Sequence, residues 1–143
     1  MDETRQVRQG DIFFARIPQR RGSIQAGDRP VVIVSANWLN RASPKYRAAL
    51  LTSQLKAAGM PTHVVLPMLK GLPKQSMVLA EQTAELLPED LLSYRCTLSD
   101  ELYKEVDRAM RNSIRSKRRK HRNRRKGRGH RTCINSKKKK RKR

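Results

Sequence analysis

Gln25-Ala26-Gly27-Asp28-Arg29-Pro30-Val31-Val32-Ile33-Val34-Ser35 is the stretch on which the fold turns. Val31 to Val34 is an uninterrupted β-branched run, the pattern of a strand buried on both faces. Pro30 is tolerable at the first position of such a strand, where a missing N–H costs no ladder bond. Ahead of it lies a turn-rich segment, Pro18 to Asp28, that carries Gly22 and Gly27.

Working outward, Asp11-Ile12-Phe13-Phe14-Ala15-Arg16-Ile17 has strand propensity, so two strands joined by a long flexible loop come first. Short apolar runs follow at Ala48–Leu51, His63–Leu66 and Met77–Ala80, separated by Pro, Gly, Ser and Lys clusters. Several short strands with turn signals between them predict a small, curled antiparallel sheet or barrel. Leu86–Leu92, with Pro88-Glu89-Asp90 near its start, reads as a short helix. Ser99 is a good N-cap, followed by Asp100 and Glu101, which complement the helix dipole. Leu98 is placed to staple onto Tyr103, and Leu102, Val106, Ala109 or Met110, and Ile114 recur at helical spacing. The expected architecture is mainly β with helices (α+β): a small antiparallel barrel closed by a C-terminal capping helix.

Charge divides the chain in two. Of its 143 residues, 34 are Lys or Arg and 12 are Asp or Glu, a net of +22. Residues 111–143 hold 19 of the basic groups and no acid. Such a segment cannot bury enough apolar surface to offset the entropy of ordering. The expected organisation is one domain over residues 1–114 and a basic low-complexity tail over 115–143 without a fold of its own.

No apolar run approaches the ~20 residues of a membrane-spanning helix. The N-terminus lacks the basic-then-apolar layout of a secretory signal. Two cysteines, Cys96 and Cys133, make no disulfide framework. These features predict an intracellular, cytoplasmic protein. His121, His130 and Cys133 fall short of the roughly four ligands on fixed elements that a zinc site needs.

P-loop, GxSxG, HExxH and GxGxxG signatures are missing from the sequence. What remains is a polar cluster at predicted strand edges: Arg21 to Pro30, Leu51-Thr52-Ser53-Gln54, and Glu81-Gln82. Arg29 opens a buried strand, so its guanidinium can be fixed while its fork reaches a phosphate. Thr52 and Ser53 end another. Taken alone, these residues read more readily as a surface arginine and a turn pair than as a site. His63, inside an apolar strand, reads as a satisfied structural histidine.

Gln9-Gly10-Asp11-Ile12, Arg21-Gly22-Ser23, Gln25 to Ser35, Leu51-Thr52-Ser53, Pro61-Thr62-His63-Val64, Leu79-Ala80-Glu81-Gln82 and Leu98-Ser99-Asp100-Glu101 resemble, in order, the MazF/PemK toxins. The resemblance runs from about residue 8 to residue 110. It implies a homodimer of small SH3-like, also called CcdB-like, barrels and a ribosome-independent endoribonuclease that cuts single-stranded RNA at short sequences. It also implies a cognate acidic antitoxin whose tail occupies the RNA groove. The substrate's own 2′-hydroxyl is the nucleophile in this class, so neither metal nor cofactor is expected.

By this resemblance, Arg29 is the catalytic arginine that stabilises the phosphate, and Thr52 is its threonine partner. Ser23, Gln25, Ser53 and Gln82 are RNA-contact candidates. Trp38 and Tyr46 are candidates for stacking on splayed bases. Many family members carry an acid in a Gly-Ser-Glu-Gln pattern where this chain has Ile24, which leaves the general base unassigned. The tail is outside the resemblance. It reads as a sequence-independent phosphate binder, a contact for an acidic antitoxin, or a solvated extension. Two rival functions stand beside the nuclease: an RNA- or DNA-binding module that does not cut, and a topoisomerase poison like the related CcdB toxins.

Overall fold

The computed structural model describes residues 5–18 and 27–115. Ser23, Ile24, Gln25 and the basic tail beyond Arg115 lie outside the described residues.

The strands are β1 (Asp11–Ile17), β2 (Gly27–Ile33), β3 (Tyr46–Thr52), β4 (His63–Val65), β5 (Met77–Leu86) and β6 (Leu91–Thr97). The helices are α1 (Asn37–Ala42) and α2 (Asp100–Ile114). All strand pairs are antiparallel, in the order β4-β5-β3-β2-β1-β6.

The period-2 geometry of a strand sends successive side chains to opposite faces, and here both faces are buried. Phe13, Ala15, Ile17, Val31, Ile33, Ala48 and Leu50 belong to one apolar cluster. Ile12, Val32, Ala49 and Leu51 belong to the other, together with Val106 and Ala109 of α2. Val31, Val32 and Ile33 are completely buried, as the β-branched run predicts. Each such side chain contributes about 1.5–3 kcal/mol.

α2 starts where its sequence directs it. The Ser99 hydroxyl accepts from the Leu102 N–H at 3.2 Å, and Leu98 and Tyr103 pack in the same cluster. Burial, helped by the Asp107 charge, pushes the Tyr103 phenol up to about 12, so it stays neutral in the core.

Four expectations need correction. The sheet is open rather than a closed barrel, because β4 and β6 do not pair. The loop after β4 backs onto β6 instead: Gly71 has φ +101°, and a Cβ there would lie 2.4 Å from the Arg95 carbonyl oxygen. A loop held this close occupies the seam that a closing ladder would need. Second, Leu86–Leu92 is not a helix. Only Pro88–Asp90 forms a 3-10 turn, and Leu91 begins β6. Third, Ile114 is 84% exposed, so the apolar face of α2 ends at Met110. Fourth, Pro30 sits inside β2, opposite Phe14. The ladder between β2 and β3 begins only after it, at Val31.

The segment after β2 forms the short helix α1. Buried Asn40 holds it by donating from its amide to the Ser35 carbonyl at 3.0 Å. At the start of β1, buried Asp11 accepts from the Arg5 guanidinium at 3.1 Å, the Thr97 hydroxyl at 2.7 Å and the Arg8 N–H at 2.9 Å. No helix among the described residues is long and apolar enough to cross a membrane.

Candidate active site

The site is built where two strands part. β2 and β3 pair from Ile33↔Ala48 to Val31↔Leu50 and no further. β2 nevertheless stays paired with β1 down to Gly27, and β3 stays paired with β5 up to Thr52. Two residues beyond the last rung, the register brings Arg29 opposite Thr52. Pro30, which has no N–H to donate, stands at the divergence.

A cleft of about 550 Å³ opens there, lined by Asp28, Arg29 and Pro30 of β2, Leu51 and Thr52 of β3, and Ser53. Its floor and far wall are Phe14, Arg95 and the segment Gly71–Lys74 with Ser76. Because the strands separate, residues from both sheet faces border the opening.

Arg29 is half-buried, and its Nε is buried without a hydrogen-bond partner among the described residues. Burial moves its guanidinium below its ordinary pKa. Arginine nonetheless stays cationic near neutrality, so toward an anion it offers charge more readily than a proton. An orphaned N–H on a buried guanidinium is costly unless something accepts from it. A phosphate oxygen in the cleft is such an acceptor.

Thr52 has its hydroxyl oriented from behind. Its Oγ1 accepts from the Gln54 N–H at 3.1 Å, which leaves the O–H free to donate. Ser53 is exposed beside it. Asp28 is the carboxylate on the cleft wall, and it faces Arg16 across the β1–β2 ladder at 3.6 Å. Lys74 and Arg95 add two further cations to the lining.

The sequence of residues 8–114 matches the family of PemK-like, MazF-like toxins of type II toxin-antitoxin systems. The chain belongs to that family. Endoribonuclease EndoA of Bacillus subtilis strain 168 is 34% identical over 109 residues, which covers 76% of this chain and 94% of that protein. The MazF structure from Deinococcus radiodurans shares the fold with a TM-score of 0.64 and 23% identity, covering 73% of this chain and 93% of that one. A mycobacterial endoribonuclease solved in complex with its cognate antitoxin shares it with a TM-score of 0.62 and 20% identity, covering 75% and 93%.

Within this PemK/MazF-type domain, the residues named from sequence fall into three groups. Arg29, Thr52 and Ser53 meet at the cleft. Gln82 does not line it. It lies in the irregular part of β5, between the rungs Leu50↔Leu79 and Ala49↔Thr83, with its Oε1 buried and unpartnered. Trp38 is 66% exposed on α1, beyond the far end of β2, roughly 13 Å of strand from Arg29. Ser23 and Gln25 lie outside the described residues. Tyr46, named as a stacking candidate, instead packs partly against the cluster under β3.

His63 is satisfied on both sides. A carbonyl oxygen only accepts, so Nδ1 donates to Ala57 O at 2.9 Å, while Nε2 faces Glu81 Oε2 at 2.8 Å. This contact ties the segment after Ser53 to β5.

Sequence reasoning missed Lys74 and Arg95. Arg95 lies on β6, in a stretch to which the sequence reading assigned no element, and Lys74 on what reads as an ordinary Gly-Leu-Pro-Lys turn. The available signal was Gly71, whose conformation marks a backbone held against a neighbour.

Proposed function

We propose that this protein is a homodimeric, metal-independent endoribonuclease toxin that cuts single-stranded RNA at short sequences and is restrained by a cognate acidic antitoxin in the cytoplasm. The observation that carries this reading is the meeting of Arg29 and Thr52 at a cleft where the Arg29 Nε has no acceptor among the described residues. Its kinship with a protein named an endoribonuclease supports the same reaction.

The chemistry follows from what the cleft provides. A 2′-oxygen attacks the adjacent phosphorus, the bond from phosphorus to the 5′-oxygen breaks, and the products end in a 2′,3′-cyclic phosphate and a 5′-hydroxyl. The nucleophile comes from the substrate, so the protein's task is to stabilise charge on the pentavalent phosphorus. Arg29 supplies that charge, and the Thr52 hydroxyl donates to a phosphate oxygen. A strand without 2′-hydroxyls has no nucleophile, which excludes DNA as substrate. Ser53 contacts the RNA beside Thr52, and Ser23, Gln25, Gln82 and Trp38 are assigned to RNA contacts along the groove of the dimer.

The test is cleavage of a single-stranded RNA and of the same strand carrying one 2′-deoxyribose at the cut. Cyclic-phosphate ends from the first and no cut in the second are expected. Binding without cutting of either strand would support the non-cleaving binding module, and inhibition of a topoisomerase without RNA cleavage would support the poison.

A further inference from the structure

The cleft holds more cationic charge than the scissile phosphate requires. None of the six ion pairs among the described residues involves Arg29, Lys74 or Arg95. The single carboxylate in the lining, Asp28, is turned to Arg16 at 3.6 Å. Three cations without acidic partners in one concave surface raise the local concentration of an anion.

Two of these cations are held on braced elements. The loop that bears Lys74 is anchored by buried Leu72 and by the amide of Gln75, which donates to the Leu66 carbonyl at 3.0 Å. Ser76 donates to the Lys74 carbonyl at 3.1 Å. Gly71 brings the same loop against the Arg95 backbone, where even a Cβ would collide. Arg95 lies with its guanidinium carbon 5.3 Å from the centroid of the Phe14 ring, also in the lining. Lys74 and Arg95 thus stand on two elements in backbone contact and line the same opening as Arg29.

We propose that Lys74 and Arg95 form a second phosphate-binding position, which holds a backbone phosphate adjacent to the scissile one that Arg29 and Thr52 serve. The inference rests on the endoribonuclease reading and adds a division of labour to it. Arg29 and Thr52 act in the transition state, whereas Lys74 and Arg95 bind ground state and transition state alike, so they set KM and leave kcat alone. They are positioning residues.

The experiment uses the full-length protein, its Lys74→Ala/Arg95→Ala double variant and the charge-keeping Lys74→Arg/Arg95→Lys variant. Steady-state kinetics are measured on a short RNA bearing the enzyme's own cut sequence. Affinity against salt is measured on the same strand with a 2′-deoxyribose at the cut. The double alanine variant is expected to raise KM about tenfold with kcat within about twofold. It should flatten the salt slope by about 0.7, the value for one phosphate contact on a single strand. The charge-keeping variant should restore both. Unchanged KM and slope, a fall in kcat at constant KM, or failure of the charge-keeping variant to restore binding would each overturn the proposal. If the unmodified protein does not cut RNA at all, the nuclease reading fails, and the salt slopes still decide whether these two residues hold phosphates.

Discussion

Arg29 and Thr52 stand opposite each other two positions past the last rung of the β2–β3 ladder, which ends at Val31↔Leu50. Their separation is what creates a site. Had the ladder continued, the two side chains would close on each other as an ordinary cross-strand pair. Because it stops at Pro30, a cleft opens that is lined by a half-buried guanidinium and a hydroxyl oriented from behind.

Thr52→Ala is expected to lower cleavage about 10- to 100-fold with little change in melting temperature, the range for losing one hydrogen bond to a charged group. Thr52→Ser, which keeps the hydroxyl, should recover most of the rate. Single-turnover cleavage of one RNA by the three proteins checks this. A full rate in the alanine variant would remove Thr52 from the chemistry.

Gly71→Ala should destabilise the protein by more than about 1–2 kcal/mol, since a left-handed backbone is joined to a clash with β6. Gly59, whose added Cβ meets nothing within 4 Å, is the control, and Gly59→Ala should leave stability nearly unchanged. Urea unfolding midpoints compare the two. Equal midpoints would mean that the loop does not press on β6.

Acid should weaken the tie between His63 and Glu81. Burial is the largest single influence and acts to raise the Glu81 carboxyl, but the hydrogen bonds from His63 and its neighbours, with the His63 charge, together outweigh it, so the group sits below its ordinary value of 4.5. A carboxyl depressed in the folded state stabilises at pH above its unfolded value. That stabilisation is lost as pH falls through the folded value. Stability measured from pH 7 down to pH 3 should therefore fall less steeply in Glu81→Gln than in the parent. The effect is small, because Glu81 is well exposed. Identical pH profiles would dissolve the link.

Removal of residues 115–143 should weaken RNA binding and reduce its salt dependence while leaving the cut sequence unchanged. This segment lies beyond the family match at residue 114 and contains most of the basic excess. End sequencing of cleavage products from the full and shortened chains decides the point. A changed cut sequence would make the tail part of recognition, and unchanged affinity would make it dispensable.

The parts of this fold legible in sequence are those in which local pattern and tertiary setting agree. Val31–Ile33 is β-branched and is buried on both faces. Ser99 caps α2 as its chemistry requires. β6 was illegible for the opposite reason. Pro88-Glu89-Asp90 is a good helix start, and Leu91 to Thr97 carries weak alternation because it is an edge strand with one neighbour, β1. The arginine and threonine of the cleft could be named from the family resemblance, and strand register explains why they meet. Lys74 and Arg95 could not be named, because their proximity depends on a loop packing against β6 in place of a closing ladder. Ile114 kept helical spacing but extended past the sheet that would have covered it.

The central claim is that Arg29 supplies the charge for cleavage of an RNA phosphodiester. The most direct test incubates the protein and its Arg29→Ala variant, in chelator, with a long structureless RNA and its all-deoxy copy, followed by sequencing of the ends. The account predicts cuts at a short recurring sequence in the RNA, none in the DNA, and a loss of about 10²–10³ or more in rate with Arg29→Ala while the variant remains folded. Cutting by the folded variant at the parent's rate would contradict it.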